Sequence, residues 1–301
     1  MKSVSLIIAL LIFTSTKTCA QIFFKTEYFG KSSYRDEDNN KVSGSKGSAR
    51  VYQGGISIPL SVKMNENNRP TMWGISASGA YASLSNEGLT DDLVLNEIMN
   101  LQLALFHIRP LNEKWSMMAS IGAGVYALDT RFSSIRYRNM LGSMGAVFIR
   151  HLKPNLDIGG GLALNTTFGY PMVFPAFYFN WTTEGRFKVK VALMNGMEIA
   201  AGYTVNSYLG LDIVAEMNGQ MALLEKEGKD KIFTHQYITV GLRPELKLGK
   251  HVSIPVTLGI HATRTAYFDD RSLKAMFDSS REYEPYFQIS PYISAGLKIG
   301  F

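Results

Sequence analysis

In the stretch REYEPYFQISPYISAGLKIGF every odd position from Phe287 through Ile289, Pro291, Ile293, Ala295, Leu297 and Ile299 to Phe301 is apolar. The even positions, Tyr286, Gln288, Ser290, Tyr292, Ser294, Gly296, Lys298 and Gly300, are polar, small or amphipathic. A strand sends successive side chains to opposite faces, so this period of two specifies a strand with one apolar face and one wet face. The pattern recurs. Val252, Ile254, Val256, Leu258, Ile260 and Ala262 oppose Ser253, Pro255, Thr257, Gly259, His261 and Thr263; Leu156, Ile158, Leu162 and Leu164 oppose Asp157, Gly159, Gly161 and Asn165. Ile56, Ile58, Leu60, Val62 and Met64 share a third face, and odd positions from Trp115 to Ala127 a fourth. Helices repeat every three to four residues and cannot produce this, so the chain is all-β.

The connections narrow the architecture. Short turns at Asn65–Arg69, Asn112–Lys114, Lys153–Asn155, Glu184–Arg186, Asn206–Ser207 and Leu248–Lys250 alternate with mostly longer, more polar connections. These are 31–48, 85–96, 129–138, 169–174, a tight one at 195–196, 225–231 and 267–282. Alternating short turns and long loops mark a transmembrane antiparallel up-and-down β-barrel, with turns on the periplasmic side and loops outside. The expected strands are 22–30, 49–64, 71–84, 97–110, 115–128, 139–152, 156–168, 175–183, 187–194, 197–205, 209–222, 232–246, 251–266 and 284–301. That makes about fourteen; merging 187–194 with 197–205 would leave twelve.

The N-terminus, MKSVSLIIALLIFTSTKTCAQ, has a positive Lys2, an apolar run from Val4 to Phe13 and small residues at Thr18-Cys19-Ala20. The run is too short for a membrane helix, so a secretory signal over 1–20 is expected, cleaved after Ala20, followed by one barrel domain over 21–301. A lipoprotein signal on Cys19 is the rival reading, but Thr18 replaces the small residue it requires. Cys19 is the only cysteine, so the mature chain has no disulfide, thiolate metal site or cysteine nucleophile. The formal charge of +6 falls to +4 without Lys2 and Lys17. With no Lys/Arg run, nucleic acid is not an expected partner.

The signal ending CAQ, the chain length and YISAGLKIGF resemble the uncharacterised outer-membrane β-barrel proteins of Bacteroidota, which are grouped as a domain of unknown function. Leu297, Ile299 and the terminal Phe301 resemble the closing signature of outer-membrane barrels. The resemblance implies an outer-membrane location, handling by periplasmic chaperones and the barrel-assembly machinery, contact with outer-membrane lipid, and closure of the last strand onto the first. The strand count is also similar to that of fatty-acid transporter barrels. Strand pattern begins within a few residues of Gln21, leaving no room for the N-terminal plug of that family.

With apolar faces toward lipid, the opposite parity lines the interior. It contains Lys63, Asp157, Lys188, Lys190, Glu198, Asp212, Glu216, His235, Arg243, Glu245, His261 and Lys298. Lys188 and Lys190 would neighbour Glu198, Asp212 and Glu216, either as a charged constriction that selects solutes or as a salt-bridged interior that stiffens a closed barrel. Aromatics such as Phe23, Phe29, Phe177, Phe179, Trp181, Tyr267 and Phe268 are expected in interfacial girdles.

No catalytic, cofactor or metal site is expected. His151 and His251 adjoin turns and are expected as solvated turn residues, His107 sits where alternation stumbles at an expected bulge, and His235 and His261 face inward without metal-ligand spacing. HATRT offers His261 and Thr263 on one face, with threonine where a lipid hydrolase wants serine. The glycines 159–161 begin no strand–loop–helix and bind no phosphate. RDEDNN and FDDRS lack a full calcium ligand set and are expected as solvated loops, one of which folds inward. The leading expectation is a passive, porin-like channel or transporter for small solutes with a mixed-charge lumen. A closed structural or surface-binding barrel is second, and a lipid-modifying enzyme third.

Overall fold

The computed structural model describes residues 20–66, 69–90, 92–183, 185–193, 196–276 and 283–300. The segment before Ala20 where a signal is expected, the tip of the 195–196 connection, part of the 267–282 loop and Phe301 lie outside them. Fourteen long antiparallel strands form the wall: β1 (Gln21–Ser32), β2 (Lys46–Met64), β3 (Pro70–Glu87), β4 (Glu97–Pro110), β5 (Trp115–Ala127), β6 (Met140–Lys153) and β7 (Leu156–Asn165), then β8 (Met172–Thr182), β9 (Phe187–Leu193), β10 (Met197–Thr204), β11 (Leu209–Lys226), β12 (Lys229–Lys247), β13 (Val252–Asp270) and β14 (Ser290–Ile299). Each pairs with its sequence neighbours, and β14 pairs with both β13 and β1, so the ring closes. Closure matters because a free edge presents unpaired amides and carbonyls. Every expected strand is present, including the short β9 and β10.

Strands run further than alternation alone indicated, because polar residues at the long-loop end also pair. The expected loop 225–231 is a two-residue turn at Glu227–Gly228, whose φ values of 55° and 73° suit the twist of a tight hairpin. Near the same end the two-residue strand Tyr34–Arg35 pairs with Tyr286–Phe287, extending the β1–β14 side upward.

Among the register irregularities of the described residues, three change the face expected of a named side chain, since one extra residue reverses every later position. In β2 the register shifts between Pro59 and Ser61, which places Ser61 opposite Trp73 and Lys63 opposite Thr71. Lys63 therefore shares the outward face of Trp73 and Ile75, a correction to its expected place in the lumen. In β13 the shift at Ala262 puts His261 opposite Thr239 but Thr263 opposite Ile238. His261 turns in and Thr263 turns out, so the HATRT pair does not share a face. The third lies between Phe287 and Ser290: both are buried, and Phe287 leaves the outward face expected of it. At His107, by contrast, the register with β3 and β5 is unbroken; the ring stays outward, stacked on Trp73 at 4.2 Å.

The wall is not of even height. Leu193 at the end of β9 pairs with Phe179, and Met197 at the start of β10 pairs with Met217. Beyond that level β8 continues through Met172–Tyr178 and β11 through Asn218–Lys226 with no ladder between them among the described residues. The barrel has a notch there, bounded by two facing strand edges.

The edge of β11 bends inward and docks on the opposite wall. Asn100 of β4 donates its amide to Met221 O at 2.6 Å and accepts from Met221 N at 3.2 Å. Asn139 donates to Leu223 O at 2.5 Å. Alternate residues of a strand point N–H and C=O to the same side, so these are the groups β10 would have paired had it been longer. In the long-loop half, β11 to β14 and β1 to β4 therefore wrap a nested eight-strand enclosure. Eight strands leave only room for side chains. Phe29, Val51, Leu84, Ile98, Ala222, Leu224, Phe233, Tyr237, Phe287 and Tyr292 fill it as a dry core.

Candidate functional site

Below this core, at the level of the notch, charged side chains of five strands meet inside the barrel. Lys190 of β9 donates to Glu198 of β10 at 2.6 Å. Arg243 of β12 joins Glu198 at 2.5 Å and Glu216 of β11 at 2.6 Å. Glu216 also accepts from Lys25 of β1 at 2.8 Å, a contact that crosses the interior because three strands separate β1 from β11. Lys25 lies 2.9 Å from Glu27, which accepts from Tyr237 at 2.8 Å and Tyr292 at 2.5 Å, and from Gln53. Cations and carboxylates alternate along this belt, three of each, so it is neutral. That balance lets it stand in a shielded interior where an unpaired charge would be costly.

A cavity of about 430 Å³ lies against the belt, lined by Lys25, Gln53, Glu198, Glu216, Arg243 and Lys298 among others, and reaches the notch at Gly196 and Met197. A second cavity of about 260 Å³ stands between the inner faces of β3 to β6 and Met221. Its lining is uncharged: Ser76, Ser78, Gln102, Tyr126, Ser143, Asn165 and Thr167 supply hydroxyls and amides. Arg271 caps that side by donating to Thr166 O at 3.0 Å, Thr167 O at 2.5 Å and Arg138 O at 3.1 Å.

The tip of the β11–β12 hairpin is fastened outside by surface ion pairs. Arg138 contacts Glu225, and Asp230 at 3.5 Å; Lys226 contacts Asp92 at 3.2 Å and Lys231 contacts Asp270 at 2.6 Å.

The remaining expected interior residues scatter. Lys188 stands opposite Gly202, which pairs with Asp212; it does not share the Lys190–Glu198 contact. Glu245 accepts from Ser253 at 2.8 Å. His235 contacts Gln220 at 3.1 Å and His261 contacts Ser290 at 2.7 Å, so neither meets Glu216 or Glu245 in an acid–base pair. Asp157 meets His151 at 2.7 Å, and that histidine also meets Ser116 at 2.8 Å, so His151 is no mere solvated turn residue. Leu297 and Ile299 pair with Phe24 and Ile22 on the seam of β14 and β1. Among the described residues no group of three or more His, Cys, Asp or Glu side chains is arranged to hold a metal ion.

Several interior residues escaped alternation. Lys25, Glu27 and Phe29 sit on a strand with aromatics on both faces, Phe23 and Phe29 against Phe24 and Tyr28, so parity does not mark its inside. Phe29 is a core residue and not part of a girdle. Phe177 is exposed on the outward face as expected. Arg264, buried in the core, follows the shift at Ala262; it donates to Gly47 O at 2.8 Å and lies 3.9 Å over the ring of Phe287.

A family model described as a domain of unknown function (DUF6268) matches residues 16–300. No curated protein matches the chain. Among solved structures it is similar to an outer membrane channel from Pseudomonas putida F1, at 11% identity over 96% of this chain and 98% of that one, TM-score 0.46. It is also similar to the translocator domain of the autotransporter NalP from Neisseria meningitidis, at 13% identity over 100% and 95%, TM-score 0.37. A third is the KdgM porin in complex with disordered oligogalacturonate, at 8% identity over 93% and 99%, TM-score 0.31. These likenesses concern the barrel fold.

Proposed function

Starting from a chain that belongs to the DUF6268 family, we propose that it is an outer-membrane β-barrel acting as a gated channel for small solutes. On this reading the signal at 1–20 directs export, and the barrel-assembly machinery inserts residues 21–301. The observation that carries the proposal is the inward-bent edge of β11, held across the lumen by the side chains of Asn100 and Asn139. A wall element fixed by side-chain amides on one side and exposed ion pairs on the other has two accessible positions. Docked, it fills the long-loop half. Released, it uncovers a path from the notch through the uncharged cavity to the charged belt.

The lining supports a division of labour. Hydroxyls and amides in the upper cavity accept uncharged polar solutes without a fixed sign of charge. The belt and Lys298 below would discriminate among solutes that reach it, as rings of opposed charge do in other pores. The dry core favours a second reading, a permanently closed barrel with a structural role.

Planar-bilayer recording of residues 21–301 separates the two. A gated channel gives brief openings in the native protein and long, ohmic openings in the Asn100→Ala/Asn139→Ala variant. A closed barrel is silent in both, although each migrates as folded, heat-modifiable protein.

A further inference from the structure

At the turn end of the barrel, three inward side chains on adjacent strands form one hydrogen-bonded chain. Ser116 is the second residue of β5, His151 lies near the end of β6, and Asp157 is the second residue of β7. Ser116 Oγ is 2.8 Å from His151 Nε2, and His151 Nδ1 is 2.7 Å from Asp157 Oδ1. The carboxylate can only accept, so it holds the proton on Nδ1 and leaves Nε2 to accept from the serine hydroxyl. That is the tautomer a general base requires.

The ladder positions these groups. His151 pairs directly with Asp157 across β6–β7, and its backbone N–H bonds Lys114 O at 2.8 Å, which brings the ring beside Ser116. The side chains of His151 and Asp157 remain 21% and 24% exposed. Water in the mouth could satisfy them separately, so desolvation does not force the three together. Met118 and Ile149 lie on the same inward face, one strand step above Ser116 and His151, and Asn180 pairs opposite Asp157. The layer thus offers apolar surface beside the serine, where Ile149 pairs directly with Ser116, and an amide beside Asp157.

We propose that Ser116, His151 and Asp157 are a nucleophile, general base and orienting acid that hydrolyse carboxylic esters with small apolar acyl groups at the turn-end mouth. Ser116 Oγ attacks the ester carbonyl carbon while its proton passes to His151 Nε2, and Asp157 stabilises the imidazolium. The carbon–oxygen bond to the leaving alcohol breaks and His151 returns the proton to that oxygen. Water then attacks the acyl-serine, His151 takes its proton, and the acid leaves as Ser116 regains its hydrogen. Ester and water become acid and alcohol, with no oxidant or other co-reactant.

The test uses the full chain, purified folded in detergent, with a fluorophosphonate probe and p-nitrophenyl butyrate. Expected are a mass adduct on Ser116, its loss in Ser116→Ala, and at least a hundredfold slower labelling and turnover in His151→Ala and Asp157→Asn. Should Ser116→Ala not fold, Ser116→Cys gives a second readout: its alkylation by iodoacetamide should slow at least tenfold when His151→Ala is added. A folded native protein with no Ser116 adduct overturns the assignment, as does labelling that survives His151→Ala.

Discussion

Asn100 on β4 grips Met221 on β11 by both ends of its amide, reproducing with one side chain the paired hydrogen bonds of a missing strand neighbour. This joins walls that the ring order keeps six strands apart on one side and six on the other. Replacing Asn100 with alanine leaves Met221 N–H and C=O unpaired, and an unsatisfied buried polar group costs about 1–3 kcal/mol. Asn100→Ala is therefore expected to weaken docking of β11 more than it weakens the barrel. Hydrogen exchange should quicken at Gly219–Leu223 while β1 and β14 stay protected. Equal protection of Met221 in native and variant protein would show that Asn100 does not hold the edge.

Arg243 is the hinge of the charged belt, because it is the one cation that serves both Glu198 and Glu216. Its side chain is 9% exposed, against 11% for Glu216 and 23% for Glu198. Removing one partner of a buried pair typically costs about 3–5 kcal/mol. Arg243→Ala should lower the urea midpoint of the refolded barrel, and Glu198→Gln/Glu216→Gln in the same chain should recover part of the loss. An additive triple variant would mean that the three groups are not energetically coupled.

The outer latch behaves differently because its members are exposed. Arg138, Glu225 and Asp230 are each more than a third accessible, so each pair contributes only about 0–1 kcal/mol and is screened by salt. Arg138→Glu should leave the melting temperature nearly unchanged yet raise channel open probability several-fold. Restoring the pair in reverse with Glu225→Arg should bring it back down. No change in gating with either would remove these charges from the gate.

Acid acts first elsewhere on the long-loop end. Asp129 accepts from Arg131 Nε at 3.0 Å, Arg131 Nη2 at 2.6 Å and Ser134 Oγ at 2.9 Å. These bonds, chiefly those from Arg131, lower its carboxyl from the usual carboxylate range to about 2. A lowered folded-state value means the stabilisation is complete above the unfolded value near 3.9 and is lost as pH falls toward about 2. The connection 128–139 should therefore hold its amide protection, corrected for intrinsic rates, at pH 5 and lose it near pH 2. Asp129→Asn should be as unprotected at pH 5 as the native loop is at pH 2.

The architecture was legible in the sequence wherever a strand had one apolar face, as in β7 or from Ile293 to Ile299. There, the period of two identifies both the strand and its outward side, and the alternation of turns and loops orders the strands around the ring. It failed at single residues. One extra residue in β2 turned Lys63 out, one in β13 separated His261 from Thr263 and brought Arg264 in, and irregular pairing before Ser290 buried Phe287. A bulge adds no distinctive residue type, so no pattern of polarity announces it.

By itself, then, the sequence determined a closed all-β wall of fourteen strands, its direction and most of its two faces, because these follow from local alternation and turn chemistry. Tertiary structure alone decided that the interior is partly closed and where its chemistry lies. The short β9–β10 hairpin frees an edge of β11, the edge finds amide partners 121 residues away at Asn100, and a narrowed half-barrel fills with a dry core. The meeting of Ser116, His151 and Asp157 has the same origin: it depends on register across three strands, a quantity that no one strand encodes.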